Sequence, residues 1–315
     1  MITVLQYNHY MKEINILLPI FDEEDNIEFI FSKISNAVKD LNYLFLVTLV
    51  DDGSKDGSWN IIRNLKDENI NFKKIKLSRN FGHQSAIFAG LQYNKSDAVI
   101  IMDADFQDDP KYIPNFIKKW EDGFQIVLGK RTDRDEGRLR KFVINIFFKI
   151  QKSISNINIP ENVGHYSLLD KIVVDELNLM PEKKKFLLGL RSFVGFKSTE
   201  INIVKNKRRS GESISYRGLF GYSINGLLSF SSLPLKLIGF IGILISTGSL
   251  LFSFVTLYLR VVLGVSLFDW DFGLTSIYFL SGIQLFAMSV LGQYISKIFD
   301  EVRGRPSFII DKIID

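Results

Sequence analysis

The sequence has no cysteine and only three histidines among its 315 residues. Disulfide frameworks, thiolate zinc sites and cysteine nucleophiles are therefore excluded, and a metal cage built of histidines has too few members. Two phosphate-binding signatures are also missing. No Gly-x-Gly-x-x-Gly follows the first apolar run, and no Gly-x-x-x-x-Gly-Lys-Ser/Thr occurs in the chain. A diphosphate bound here would need positive charge from another source. Charged residues are absent from Leu237 to Leu259 and from Phe272 to Ser296. Both runs exceed the roughly 20 residues that cross a bilayer core, so they are read as a transmembrane hairpin rather than buried core helices. Lys236 precedes the first run, Lys297, Arg303 and Arg305 follow the second, and Asp269, Trp270 and Asp271 lie in the connecting loop. The positive-inside rule puts the basic flanks in the cytoplasm and the loop outside. Met1 to Tyr10 has neither a basic stretch nor an apolar core, so no cleaved signal peptide is expected.

What is present is unevenly distributed. The net charge of +4 combines −5 over residues 1–128, +5 over 129–152, −3 over 153–181 and +7 over 182–217. In the acidic part, short apolar runs at Ile14–Pro19, Leu44–Val50, Lys74–Leu77, Ala98–Met102 and Gln125–Leu128 read as strands buried on both faces of a parallel sheet. Helical spacing over Asn26–Leu41 and Ser58–Asp67 completes an α/β alternation.

The residues after each strand carry the chemistry. Pro19-Ile20-Phe21-Asp22-Glu23-Glu24 ends the first, Asp51-Asp52-Gly53-Ser54-Lys55-Asp56 the second, Asp103-Ala104-Asp105-Phe106-Gln107-Asp108-Asp109-Pro110 the fourth and Gly129-Lys130-Arg131 the fifth. One Asp-rich loop is an ordinary turn, but open α/β sheets bind ligands at the carboxyl ends of their strands, where these clusters would converge. Asp103 and Asp105 can hold a divalent cation, and hard oxygen donors favour Mg²⁺ or Mn²⁺. Such an ion would neutralise a diphosphate leaving group.

Val50-Asp51-Asp52-Gly53-Ser54-Lys55-Asp56, the Asp103–Asp108 run and Leu77-Ser78-Arg79-Asn80-Phe81-Gly82-His83-Gln84 resemble the family 2 inverting glycosyltransferases of GT-A fold. With the hairpin, the resemblance narrows to polyprenyl-phosphate glycosyltransferases, which include dolichol-phosphate mannose synthase and the bactoprenol glucosyltransferases. It extends from Asn15 to about Ser307. The resemblance implies that Pro19, Phe21 and Glu23 line a base and ribose pocket, with Asp52 reaching the nucleobase. Asp103, Ala104 and Asp105 would approach the sugar diphosphate, Asp105 and Gln107 would ligate the metal, and Arg131 would meet phosphate. Arg208, Arg209 and Ser213 match a segment near the acceptor phosphate. Many relatives read Gly-Asp-Phe-Arg-Leu-Leu where this chain has Gly164-His165-Tyr166-Ser167-Leu168-Leu169, losing both Asp and Arg. That Asp is a candidate base in relatives; His165 stands in its place as a weak base, a phosphate donor or a structural histidine. A lipid phosphate, with second pKa near about 6, is already mostly ionised at pH 7 and needs no base.

The expected organisation is therefore a nucleotide-sugar-binding GT-A core over residues 1–137 and an acceptor-side, membrane-interface part over 138–232. A two-helix transmembrane hairpin over 233–298 and a cytoplasmic tail over 299–315 follow. Leu139, Phe142, Val143, Ile146, Phe147, Ile150 and Ile154 keep helical spacing beside Arg138, Arg140 and Lys141, which suits an interfacial helix. Tyr216–Phe230 is a second candidate. Lys183, Lys184, Lys185, Lys205, Lys207, Arg208 and Arg209 offer charge for phosphate capture beside an anionic leaflet, and the flanking span argues against nucleic acid. The expected reaction moves a sugar, glucose first, from a UDP-sugar to undecaprenyl phosphate with inversion, at the cytoplasmic face of a bacterial membrane, for cell-envelope glycan modification. N-acetylglucosamine, galactose and GDP-mannose remain alternative donors, and relatives suggest a homotetramer. A processive polysaccharide synthase is disfavoured by the lack of a Gln-x-x-Arg-Trp signature; a non-catalytic lipid or sugar binder is disfavoured by the intact acids.

Overall fold

The computed structural model describes residues 11–132, 160–183, 185–206, 233–264 and 270–315. The chain divides into two compact units, one holding the sheet together with residues 306–315 and one holding two long helices. In the first, the apolar runs form β1 (Glu13–Ile20), β2 (Leu44–Asp51), β3 (Asn71–Leu77), β4 (Ala98–Ile101) and β5 (Ile126–Arg131). Three further strands, β6 (Val163–Asp170), β7 (Ser198–Ile203) and β8 (Ile310–Ile314), complete one sheet in the order β7-β5-β6-β4-β1-β2-β3-β8. Pairing is parallel from β4 through β1 and β2 to β3; β6 runs antiparallel between β4 and β5, and β8 lies antiparallel on β3.

Helices cover both faces, which is why β1 is mostly apolar and buried without alternation from Ile14 to Ile20, Asn15 included. Ile14, Ile16, Leu18 and Ile20 join a core with Ile27, Ile30, Ile34 and Val38 of α1 (Ile27–Val38). Trp59 and Ile62 of α2 (Ser58–Asn64) and Ile113, Phe116, Ile117 and Trp120 of α4 (Ile113–Glu121) belong to the same core. Leu17 points the other way, toward α3 (His83–Gln92), where a side chain on Gly90 would collide with it. That close approach sets α3, and hence its first residue His83, directly against the central strand.

Two helices, α5 (Lys171–Leu179) and α6 (Leu187–Phe193), follow β6. Lys185, expected among the phosphate-capturing residues, instead donates to the carbonyls of Leu177 (2.8 Å) and Asn178 (3.5 Å) and lies over the Phe88 ring. It caps the end of α5, where a cation satisfies otherwise unpaired carbonyls. The structure also extends the fifth strand: Lys130 and Arg131, read as following it, pair with Asn202 and Ile203 of β7.

In the second unit, α7 (Leu233–Val262) and α8 (Trp270–Val302) contain the windows Ile238–Thr256 and Phe279–Val302, long and apolar enough to cross a membrane. The expected interfacial segments, Arg138–Ile154 and Tyr216–Phe230, lie outside the described residues, as do Arg208, Arg209 and Ser213. Residues 299–315 are more than a tail. After α8 the chain supplies β8, Ser78 N–H donates to the Ile309 carbonyl at 2.9 Å, and Ser307 Oγ donates to the Lys183 carbonyl at 2.6 Å. Deleting residues 306–315 bares the β3 edge and removes several backbone bonds worth about 1 kcal/mol each. A thermal unfolding midpoint lower by about 5–10 °C for the sheet unit is expected by circular dichroism of the detergent-solubilised chain; an unchanged midpoint would show that β8 contributes nothing.

Candidate active site

The strand order reverses at β1: β2 and β3 follow on one side, and β4 begins the other. Such a switch point opens a crevice at the carboxyl ends of the two central strands. The loop after β1 carries Phe21 to Asn26, the loop after β4 carries Asp103 to Asp109, and both border this crevice. Antiparallel β6 adds a third wall. Ser167 pairs with Ile101 at the end of β4, so the preceding residues Gly164 and His165 project past that strand into the same region.

The loops are held by carboxylates. Asp52, only 2% exposed, accepts the Phe81 N–H at 2.7 Å and the Gly82 N–H at 2.8 Å, tying the end of β2 to the segment that starts α3. Gly53 permits the contact: its φ is 71°, and a Cβ there would meet the Arg79 backbone and lie 2.7 Å from Asn80 N. Asp22 N–H donates to Ser54 Oγ at 3.0 Å, Asp22 accepts the Lys55 N–H at 2.7 Å, and Glu24 accepts the Gly57 N–H at 2.5 Å, lacing the first loop to the second. Of the residues expected at the nucleotide, Phe21 is 39% exposed at the rim. Pro19 is paired with Val50 inside the sheet, Ala104 is buried in the core, and Glu23 accepts from Asn26 at 2.5 Å. Asp51 differs from its neighbour: its Oδ1 accepts the Ser54 N–H at 3.1 Å, but its buried Oδ2 has no partner among the described residues. Burial raises the Asp51 carboxyl above its usual pKa, against the opposing pull of Ser54 and Lys76.

The acidic loop is equally constrained. Phe106 adopts φ 68°, a costly conformation for a side-chain-bearing residue, and its ring packs 4.8 Å from that of Phe29 on α1. Asp108 accepts the Asp103 N–H at 3.1 Å, Tyr166 OH donates to the Asp109 carbonyl at 2.9 Å, and Asn206 N–H donates to the Gln107 carbonyl at 3.1 Å. Asp105 and Gln107 are brought together: the Gln107 N–H and side-chain amide both donate to the Asp105 carboxylate, at 3.0 and 2.5 Å. A carboxylate and an amide oxygen are hard donors, the chemistry that Mg²⁺ or Mn²⁺ takes. The loop carries charge unevenly. Burial, reinforced by the Asp103 charge, pushes Asp108 up to about 7, against Lys205 and Arg131. Burial also works to raise Asp103, but His83, His165 and Lys205 outweigh it and hold that carboxyl well below the usual range.

Opposite stand nitrogen groups. His83 Nε2 lies 3.0 Å from Asp103 Oδ1, and the His83 and His165 rings pack at 4.8 Å. The surrounding protein disfavours charge on His83 even with 42% of its side chain exposed, yet Asp103, Asp105 and Asp108 raise its pKa. His165 goes the other way, down to about 3, through burial and then the charges of His83, Arg191 and Arg131. The ligand atoms of His83, Asp103 and His165 lie within 4.8 Å of one another. Each histidine is already engaged, His83 with Asp103 and His165 with Gln84 Nε2 at 2.6 Å. Arg131 sits against Gly164, whose missing Cβ would lie 2.7 Å from the guanidinium, and its Nε is buried with no partner among the described residues. Arg191, 2% exposed, donates to the Gly164 carbonyl at 2.9 Å and to Ser167 Oγ at 3.2 Å. His83, Gln84 and Arg191 therefore join the site; the Ser-Arg-Asn-Phe-Gly-His-Gln stretch was the sequence signal for the first two, and nothing marked Arg191.

The geometry makes Gly53 a sensitive position. Gly53→Ala combines an unfavourable φ, costing about 1–2 kcal/mol, with a backbone collision at Arg79. Thermal unfolding is expected to begin at least about 3 °C lower, and hydrogen exchange at Phe81 and Gly82 to accelerate; native protection at those two amides would refute the role given to the Asp52 bonds.

Residues 15–177 match glycosyl transferase family 2. A prophage bactoprenol glucosyl transferase homolog of Escherichia coli K12 is 33% identical over 304 residues, covering 96% of this chain and 99% of its own. The SfII prophage-derived bactoprenol glucosyl transferase of Shigella flexneri is 35% identical, covering 95% and 98%. An uncharacterized glycosyltransferase of Synechocystis sp. is 33% identical, covering 96% and 95%. Family and sheet together bear out the GT-A expectation, a mostly parallel α/β sheet with its acids at the strand ends. The chain belongs to glycosyl transferase family 2 and, within it, to the family of the bactoprenol glucosyl transferases.

Proposed function

We propose that this glycosyltransferase moves a sugar, glucose first, from a UDP-sugar to undecaprenyl phosphate with inversion at the anomeric carbon. The observation that carries the reading is the acidic loop after β4, which holds the Asp105–Gln107 pair together with Asp108, a carboxyl that feels the charges of Lys205 and Arg131. Near-full-length likeness to bactoprenol glucosyl transferases supports the acceptor. A lipid phosphate oxygen attacks the anomeric carbon from the face opposite the diphosphate. The new C1–O bond forms as the bond to UDP breaks, giving a β-linked polyprenyl-phosphate sugar from an α-linked donor. The acceptor is already an anion, so no proton has to be removed.

Asp105 and Gln107 would hold Mg²⁺ or Mn²⁺, which when bound offsets charge on the departing diphosphate. Arg131 faces the diphosphate as a fixed guanidinium, a geometry suited to phosphate oxygens. For the nucleobase, Asp51 replaces Asp52 in our reading: the Asp52 oxygens serve the loop amides, whereas Asp51 Oδ2 has no partner among the described residues and is an acceptor that a base N–H would satisfy. Arg208, Arg209 and Ser213 are proposed at the acceptor phosphate. The helices α7 and α8 are proposed to anchor the enzyme in the cytoplasmic membrane with the sheet unit inside, and the assembly is proposed to be a homotetramer.

Radiolabel from UDP-glucose is expected in an organic-extractable, mild-acid-labile product when undecaprenyl phosphate is supplied. A panel of UDP-N-acetylglucosamine, UDP-galactose and GDP-mannose identifies the sugar, and no transfer from any donor, with lipid still bound, would sink the enzymatic reading. Asp105→Asn should abolish metal-dependent turnover, so full activity in that variant would overturn the ligand assignment. Asp51→Asn turns an acceptor into a donor and should raise the donor KM about tenfold, one hydrogen bond to a charged group. Asp52→Asn should chiefly lower the unfolding midpoint; the reverse pattern would restore Asp52 to the nucleobase.

A further inference from the structure

The start of α3 and the start of α6 meet through one amide. Leu187 N–H lies 3.0 Å from Gln84 Oε1, and Gln84 Nε2 lies 2.6 Å from His165 Nε2. A backbone N–H can only donate, so the Gln84 atom facing Leu187 is the oxygen, and the atom facing His165 is the NH₂. That group can also only donate. His165 Nε2 must then supply a lone pair, and in a neutral imidazole the proton sits on Nδ1. Nδ1 has no hydrogen-bond partner among the described residues. The environment agrees: burial, then the neighbouring His83, Arg191 and Arg131, disfavour a charge on this ring and outweigh the opposing pull of Asp103.

We infer that Gln84 is a positioning residue that fixes His165 in the Nδ1–H tautomer, so that His165 serves the site as a hydrogen-bond donor and neither as a base nor as a metal ligand. The lone pair that a base or a ligand would use is held by Gln84. Nδ1–H is left to donate to an oxygen, and the anionic oxygens of phosphate are the strongest acceptors the proposed reaction brings. The two stacked histidines thereby divide the work. His83 Nε2–H serves the Asp103 carboxylate, and His165 offers an N–H beside it as a neutral ring. The inference about the tautomer stands on the geometry alone; its place in the reaction rests on the proposed transfer.

The first test needs no substrate. The full chain in detergent, labelled with ¹⁵N at histidine, contains only three imidazoles, and loss of one set of signals in His165→Asn assigns the ring. At neutral pH a proton bonded to Nδ1 and a pyridine-like Nε2 are expected. A proton bonded to Nε2, or contact broadening of His165 on titration with Mn²⁺ that matches a direct ligand, would overturn the inference. The second test uses Gln84→Glu, which keeps an oxygen for Leu187 but turns an acceptor toward His165. The ring should switch to Nε2–H, and kcat for sugar transfer should fall about tenfold or more with little change in donor KM. A switched tautomer with unchanged kcat would refute the donor role. Failure of transfer in the unaltered protein would strike the proposed function and leave the spectroscopic result intact.

Discussion

Asp52 is the constraint on which the site depends. A carboxylate 2% exposed at the end of β2 is a costly group unless its oxygens are satisfied, and here two consecutive amides, Phe81 and Gly82, satisfy them. The bonds fix the segment leading into α3 relative to the central strands. Because Gly82 ends that segment and His83 begins the helix, they also fix the position of His83 and Gln84. Gly53 allows the two backbones to touch, and Gly90 allows α3 to lie close on Leu17. Remove that anchoring, and neither histidine pairing has a defined place.

The remainder of the crevice is built on the same principle, with polar groups paired to backbone so that a few are left over. Asp108 bonds to Asp103 N–H, Tyr166 to the Asp109 carbonyl and Asn206 to the Gln107 carbonyl. Among the described residues, Asp51 Oδ2, Arg131 Nε and the Nδ1 of His165 are left without a hydrogen-bond partner. One acceptor and two donors of this kind are what the proposed nucleoside diphosphate sugar would require. The Phe106 backbone shows the cost of this arrangement, an unfavourable φ offset by packing on Phe29.

The same rules separate what was legible in the chain from what was not. The central strands β1, β2 and β4 were legible because both of their faces are buried, leaving mostly apolar runs, whereas β3 keeps three lysines and shows its pattern only toward Leu77. β6 was harder to see, since Gly164-His165-Tyr166-Ser167 mixes polar and apolar residues where one end of the strand serves the crevice. β8 was read as part of a tail because five residues, Ile-Asp-Lys-Ile-Ile, carry too little pattern to announce an edge strand. Lys185 shows the limit for charges: composition made it a phosphate ligand, whereas the carbonyls of Leu177 and Asn178 claim its ammonium group.

By itself, the sequence determined the α/β alternation, the acids at the strand ends, the two long apolar runs and the family that these motifs mark. Those features are local, written in residue type and spacing. Tertiary structure decided which acid does what. Asp51 and Asp52 are adjacent and chemically identical, yet opposite side-chain directions at a strand end give one a pair of amides and leave the other an open oxygen. It also decided the character of His165, because the groups that set its tautomer, Gln84 and Leu187, lie far away in the chain and meet only when α3 and α6 pack beside β6.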